Sequence, residues 1–390
     1  LAWGILMGVR PTKIAMRKLE EGMTQETFVP WFQKENLVSE EKAHLAWQIA
    51  GREKKLLDQL DYENGYSLYV GIPFCPTVCS YCSFSSGALG DWEHRVEDYL
   101  AALMKELEAI AKMSEGRKAD TIYMGGGTPT TLNADQLDRL LTCIDRHFVR
   151  EGLLEFTVEA GRPDSITREK LETLKKWDIT RISINPQTMK DETLKIIGRR
   201  HTVAQTVESF HLARELGFDD INMDLIMGLP EESLEDVRDT LEQVKALKPD
   251  NLTVHSLALK RAARLNMFKE DYKDYKMVNT TEHMNLTAEY AKEMGLEPYY
   301  LYRQKSMAGN LENVGYASPG KAGIYNILIM EEKQTIVACG AGASTKRVWN
   351  EPNPDGTHRI ERCENVKDVA QYIERIDEMI ERKQKLFAEE

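Results

Sequence analysis

Gly71-Ile-Pro-Phe-Cys75-Pro-Thr-Val-Cys79-Ser-Tyr-Cys82-Ser-Phe84 crowds three cysteines into eight residues. A C-x3-C-x2-C spacing sets three thiolates on one tight loop, enough to hold three irons of a cubic iron–sulfur cluster. Cluster irons in proteins are held by Cys thiolates, usually four of them. Three ligands leave one iron open, and an open iron can bind a substrate rather than only pass electrons. The spacing also differs from the C-x2-C-x2-C-x3-C run of ferredoxins. The plainer alternatives are a zinc site or inert buried thiols. Zinc takes four ligands, usually as paired C-x2-4-C or Cys/His couples, and no matching fourth ligand lies nearby in the sequence.

Working outward, Ser67–Ile72 reads as a short buried strand that Pro73 ends. The cysteines thus follow the C-terminal end of a strand, where α/β barrels and open α/β sheets place their chemistry. Further strands are expected at 120–125, 155–160, 179–184, 220–226 and 251–257. Amphipathic helices near 91–113, 133–149, 165–177, 202–216 and 233–247 separate them. Asn133-x-x-Gln136, Thr202-x-x-Gln205 and Ser233-x-x-Asp236 read as capping boxes, the last with Asp in place of Glu. Repeated βα units imply a parallel sheet with helices outside. Six units fit an α/β fold of the partial (β/α)6 TIM-like barrel type better than a closed eight-stranded barrel.

The flanks differ. Residues 10–62 read as helices, with Pro11 in a first turn and Thr24 and Ser39 as caps. Beyond about residue 262 the alternation ends. A helix is expected at 280–295, a β-hairpin over Ala322–Met330 and Gln334–Cys339, and a charged helix from Val366 to Leu386. The expected division is an N-terminal helical extension at 1–64, the barrel at 65–262, and a C-terminal α+β cap over the barrel mouth at 263–390.

The 390 residues are 42% hydrophobic and 29% charged, the balance of a soluble globular protein. No apolar run approaches the ~18 residues that span a bilayer, and no signal peptide is visible, so a cytoplasmic location is expected. The chain opens on Leu rather than Met, which leaves room for a segment upstream. A net charge of −12 argues against a nucleic-acid groove. Cys143, Cys339 and Cys363 are scattered and read as reduced thiols.

Other motifs sit at predicted strand ends. Met124-Gly-Gly-Gly-Thr-Pro129 lets backbone approach a ligand closely, and its exposed N–H and C=O groups suit an amino acid's ammonium and carboxylate. Glu159 can accept from an ammonium, with Arg162 as its surface partner. Gln187 and Asp224 suit ribose hydroxyls, and Arg199 suits a bidentate carboxylate clamp. Lys260, Arg261, Arg264, Arg303, Lys305, Lys321, Lys346 and Arg347 lie near the expected mouth or cap and are candidates for the carboxylates of a polyanionic substrate. Tyr299-Tyr-Leu-Tyr-Arg303 reads either as a pocket wall or as a strand with one buried face.

Taken together these motifs resemble the radical S-adenosylmethionine (radical SAM) superfamily, and within it the oxygen-independent coproporphyrinogen III dehydrogenase (oxidase) group. Tyr69-x-x-Ile-Pro-Phe-Cys75, Gly-Gly-Gly-Thr-Pro129, Gly198-Arg-x-His201 and Asp224-Leu-Ile-Met-Gly-Leu-Pro230 carry the resemblance, over about residues 65–345. Trp3-Gly-Ile-Leu-Met-Gly-Val-Arg-Pro-Thr-Lys13 and Gly315-Tyr-Ala-x-Pro-Gly320 are similar to a Gram-positive-type branch. The resemblance implies that Cys75, Cys79 and Cys82 ligate a 4Fe-4S cluster whose fourth iron takes SAM, as one SAM molecule or two. It implies that Gly126, Gly127, Thr128 and Glu159 hold the methionine part and Arg199 its carboxylate. Gln187 and Asp224 would hold the ribose, Tyr81 would pack by the adenine, and Tyr69 would stand beside the site. A small donor such as flavodoxin or ferredoxin would supply an electron. The 5′-deoxyadenosyl radical formed from SAM would take a hydrogen from a propionate β-carbon of a tetrapyrrole, and loss of an electron and CO2 would leave a vinyl group. Two positions depart from the group: Phe84 stands where active members carry a further Cys, and Gly71 where they carry a His. Relatives with such changes include anaerobic haem-degrading methyltransferases and haem carriers. The haem-carrier signature is missing, for the corresponding stretch is Gly323-Ile-Tyr-Asn-Ile-Leu328.

Overall fold

A computed structural model describes residues 2–6, 10–83, 86–148, 150–258, 263–267, 269–303, 307–353 and 357–388. Three helices come first: α1 (Thr12–Glu20), α2 (Gln25–Asn36) and α3 (Glu40–Leu57). Thr24 and Thr27 form a capping box at α2, and Ser39 Oγ accepts from Lys42 N–H at α3. The βα alternation follows, with strands β1 (Gly65–Ile72), β2 (Lys118–Gly126), β3 (Glu155–Glu159), β4 (Arg181–Ser183), β5 (Ile221–Met227) and β6 (Asn251–Ser256). Helices α4 (Val96–Met113), α5 (Ala134–His147), α6 (Arg168–Lys176), α7 (Asp191–Ile196), α8 (Val203–Glu215) and α9 (Leu234–Leu247) connect them. The capping boxes at Asn133, Thr202 and Ser233 form as the sequence predicts. Neighbouring strands from β1 to β6 pair in parallel, in chain order. A parallel sheet covered on both faces needs near-continuous apolar strands. In β1 all but Tyr69 are accordingly buried.

The C-terminal residues extend this sheet at both edges. Helix α10 (Thr281–Glu293) leads to β7 (Glu297–Tyr302) and β8 (Asn313–Ala317), and β8 pairs antiparallel with β6. On the other side β9 (Ile336–Cys339) pairs in parallel with β1, so seven strands run in parallel. β10 (Ser344–Pro352) and β11 (His358–Glu364) continue antiparallel from β9, giving an open 11-stranded sheet among the described residues.

This corrects the expected hairpin. Ile324–Glu331 is a helix, α11, and the expected second arm, β9, pairs instead with the far-off β1. A short apolar run cannot be told from a buried strand by periodicity alone. Glu332, in the left-handed region at φ 53°, stops the helix. The charged C-terminal helix is broken into α12 (Val369–Glu374) and α13 (Ile376–Ala388).

One buried polar network fixes β9. Lys383 of α13 lies 2.6 Å from Glu106 of α4, and both side chains are 0% exposed. Glu106 also accepts from Asn365 Nδ2, Tyr372 O–H and Gly340 N–H, just past β9. Gly340 takes φ 101°, and a Cβ there would stand 2.5 Å from Gly71 O. Removing one partner of a buried ion pair leaves an uncompensated charge and costs about 3–5 kcal/mol. Lys383→Ala should lower the free energy of unfolding by that amount, read as a lower urea midpoint in equilibrium unfolding. The double variant Glu106→Gln/Lys383→Met should recover much of the loss.

Candidate functional site

The C-terminal ends of β1 to β6 open into one cavity of about 330 Å3. Cys75, Cys79 and Cys82 line it, with Tyr81, Gly126, Gly127, Thr128, Glu159, Gln187, Arg199 and Asp224. Eleven of the predicted site residues therefore share one space. Tyr69 stands a layer behind. Its ring stacks at 6.2 Å on Tyr123, which does line the cavity, and at 6.4 Å on Tyr325 of α11.

The cysteine loop is fastened from two sides. Gly127 N–H donates to Ile72 O and Thr128 N–H to Phe74 O, each at 2.7 Å. Ser80 N–H donates to Ile197 O, and Thr77 Oγ1 to Gly198 O. Arg162 is the residue that the sequence misjudges. It is not a surface partner of Glu159 but a clamp on this loop, 3% exposed. Its guanidinium pairs with both Asp164 oxygens, donates to Thr77 O and Thr77 Oγ1, and reaches Cys79 Sγ at 3.6 Å. Only the folded loop reveals this, although Arg162-Pro-Asp164 straight after a strand is the available signal.

Among the described residues no group of three or more His, Cys, Asp or Glu side chains is placed to hold a metal ion. The cysteines are instead distributed on one wall of the cavity, and the donor set fits a polynuclear iron–sulfur group. Burial pushes the Cys75 thiol up, with Thr128 and Ser86 opposing. Bound irons reverse such a penalty, because a coordinating thiol is deprotonated.

The rest of the cavity is pre-shaped for a polar ligand. A Cβ on Gly127 would stand 2.6 Å from Phe74 O, and Gly126 takes φ 109°. Gln187 is a non-glycine residue at φ 68°, pinned by Gln187 N–H to Asp224 O and Ile226 N–H to Gln187 O. Such strain gathers at functional sites. Buried atoms without a partner include Gln187 Oε1, Asn185 Oδ1, Ser183 Oγ and Arg199 Nε. Both Nη atoms of Arg199 are engaged, with Asn185 O, Gly161 O and Tyr81 O–H, so the bidentate clamp reduces to the free Nε. Tyr81 packs against the apolar cluster of Leu194, Ile197, Ile226, Leu229, Leu257 and Leu265.

Two carboxyls here are driven apart. Burial raises Glu159 to about 7, against the bond it accepts from Tyr123 O–H at 2.5 Å. Burial also pushes Asp224 up, but His255 at 3.6 Å and Asn222 outweigh it and hold Asp224 below its ordinary value. Opposed shifts in one site assign different roles to two carboxyls.

Four of the basic residues expected at the mouth or cap are engaged by other parts of the chain. Arg303 donates to Leu6 O and Asn310, Lys321 pairs with Asp250, Lys346 with Glu332, and Arg347 donates to Leu386 O. Lys260, Arg261 and Lys305 fall outside the described residues, as does Phe84. Tyr300 and Tyr302 belong to β7 and line the cavity, so the stretch is a pocket wall; Tyr299, Tyr300 and Leu301 are buried in succession, so the strand is covered on both faces rather than one. At Gly71 a Cβ would meet Cys339 O at 3.1 Å, because β9 covers that face.

A fold of parallel strands with three thiols at the mouth defines the class. Residues 69–244 match the radical SAM superfamily. The chain is 44% identical over 385 residues to the oxygen-independent coproporphyrinogen-III oxidase-like protein HemZ of Bacillus subtilis, covering 98% of this chain and 76% of that protein. It is 38% identical over 193 residues to heme chaperone HemW of the same organism, about half of each chain. Coproporphyrinogen III oxidase (HemN) from Escherichia coli has the same fold, with a TM-score of 0.64 over 84% of this chain and 73% of that one at 23% identity. This chain belongs to the radical SAM superfamily, in its oxygen-independent coproporphyrinogen-III oxidase-like group. Membership implies a 4Fe-4S cluster and SAM. No helix among the described residues is long and apolar enough to cross a membrane.

Gly127→Ala tests the packing directly. Its methyl meets backbone rather than a movable side chain, and such overpacking costs about 1–3 kcal/mol. A thermal melt of the ligand-free variant should fall by several degrees.

Proposed function

We propose that this chain is a radical SAM enzyme that acts on a tetrapyrrole, by oxidative decarboxylation of coproporphyrinogen III propionates to vinyl groups. The observation that carries the proposal is the single cavity uniting three cysteines with the glycine loop, Glu159, Gln187, Arg199 and Asp224. Cys75, Cys79 and Cys82 would hold the cluster, and Arg162 would stabilise the charge on Cys79. Gly126, Gly127 and Thr128 would bring backbone to the methionine part of SAM. Glu159 would accept from its ammonium, and Arg199 Nε would donate to its carboxylate. Gln187 Oε1 and Asp224 would take the ribose hydroxyls, and Tyr81 would flank the adenine. Tyr69 would brace Tyr123 and, through it, Glu159. When bound, the cluster and SAM supply a carbon radical that abstracts a hydrogen atom. The chain's own task is to orient the reacting carbon and keep water out.

A second reading, a haem-binding protein on the same scaffold, has one observation in its favour. Half of the chain is similar to a protein named as a heme chaperone.

Anaerobic incubation of reconstituted protein with SAM, dithionite and either coproporphyrinogen III or haem separates these readings. Mass spectrometry should find vinyl product and CO2. A methylated linear tetrapyrrole would move the reaction to haem ring opening. Stoichiometric haem without any SAM cleavage would leave only the haem-binding reading. Cys79→Ala should lose both the cluster's broad visible absorbance and all SAM cleavage.

Glu159 adds a pH test. A carboxyl at about 7 is mostly neutral below that pH and charged above it. Only the charged form attracts an ammonium, so SAM affinity should fall as pH drops from about 7.5 to about 6, by at most about tenfold per unit. Equilibrium dialysis should show this slope in the native chain and a weak, flat profile in Glu159→Gln.

A further inference from the structure

The cysteine loop has two faces. Cys75, Cys79 and Cys82 line the inner cavity, while Pro76, Thr77 and Val78, between the first two cysteines, line a separate outer groove of about 820 Å3. The loop is thus a partition one chain thick. Among the described residues, Arg199 alone lines both spaces.

The groove is basic on an acidic molecule. Lys195, Arg200 and Arg264 line it and are exposed, on a chain of net charge −12. Lys195 and Arg200 pair with no carboxylate among the described residues. Two acids also line the groove. Asp191 Oδ1 is engaged by Val203 N–H, and Asp91 is exposed. His201 adds no charge, since burial and then Arg199 bring it down to about 3. Both of its ring nitrogens are buried without a partner.

We propose that this groove is the docking site of a small acidic electron-transfer protein. The proposal rests on the reading of Cys75, Cys79 and Cys82 as cluster ligands, which requires an electron to arrive from outside. In docking, one electron leaves the reduced donor, which is oxidised by one, and enters the iron–sulfur group; no bond is made or broken and no proton moves. Electron transfer weakens steeply with distance, and the outer face of Pro76–Val78 lies on the loop that carries the thiols. Unpaired lysine and arginine there attract an acidic partner, steer its approach and disfavour others. Transient redox contacts are small, under about 1,200 Å2 of buried surface.

The experiment uses cluster-reconstituted protein and reduced flavodoxin as the acidic probe. Lys195→Glu/Arg200→Glu should raise the flavodoxin concentration for half-maximal SAM cleavage by about tenfold or more at low salt, and should remove its salt dependence. Dithionite-driven cleavage should be unchanged. Calorimetric titration with flavodoxin should show the same loss of affinity without reference to turnover. Lys112→Glu, on helix α4 and outside the residues that line the groove, should change neither. Unchanged flavodoxin affinity and half-saturation in the double variant would overturn the docking site. Absence of dithionite-driven cleavage in the native chain would instead sink the cluster reading, and the calorimetry would still decide the groove.

Discussion

Two backbone hydrogen bonds carry the rest of this structure. Gly127 N–H to Ile72 O and Thr128 N–H to Phe74 O bind the end of β2 to the chain just before Cys75. They form only because residue 127 lacks a Cβ, which would collide with Phe74 O. The contact sets the glycine loop and the first thiol in fixed relation. Arg162 then fixes the second thiol from the end of β3, and Ile197 O holds the loop's far side. Three successive βα turns thus grip one loop of eight residues, and a rigid first layer of ligands is what precise chemistry demands.

Much of this is legible in the sequence because each βα turn announces itself locally. A buried strand ended by Pro73, three glycines before Thr128, a carboxylate at the end of β3 and capping boxes at Asn133, Thr202 and Ser233 are short-range signals. They say which end of the sheet carries the site, and the cavity collects them there. What escapes is set by distant partners. Arg162 is a surface residue or a buried clamp depending on where Thr77 lies, 85 positions away. Ile324–Glu331 is apolar enough for strand or helix, and only packing decides. The basic residues of the C-terminal region look like a binding surface until their carboxylates and carbonyls are seen.

One departure from the group, Gly71, also gains a physical meaning. Gly71 is not simply a missing imidazole. Its carbonyl accepts from Tyr99 O–H, and Gly340 lies against it. A side chain there would press on Cys339 O at 3.1 Å, so the glycine and the close fit of β9 belong together. The charge pattern divides in the same way. Inside, a neutralisable Glu159 and an ionised Asp224 face engaged arginines; outside, unpaired cations stand over the partition.

The parallel pairing of β9 with β1 has a consequence for biosynthesis. A nascent chain emerging from the ribosome makes β1, the strand just ahead of the cysteines, early, yet one rim of that strand stays bare until Ile336 has been translated. An unpaired rim invites misassembly, and long-range parallel pairing is slow. Lys383 and Tyr372, which lock the turn after β9, arrive later still. Closure of the sheet beside the thiol loop is therefore a late event in the life of the molecule.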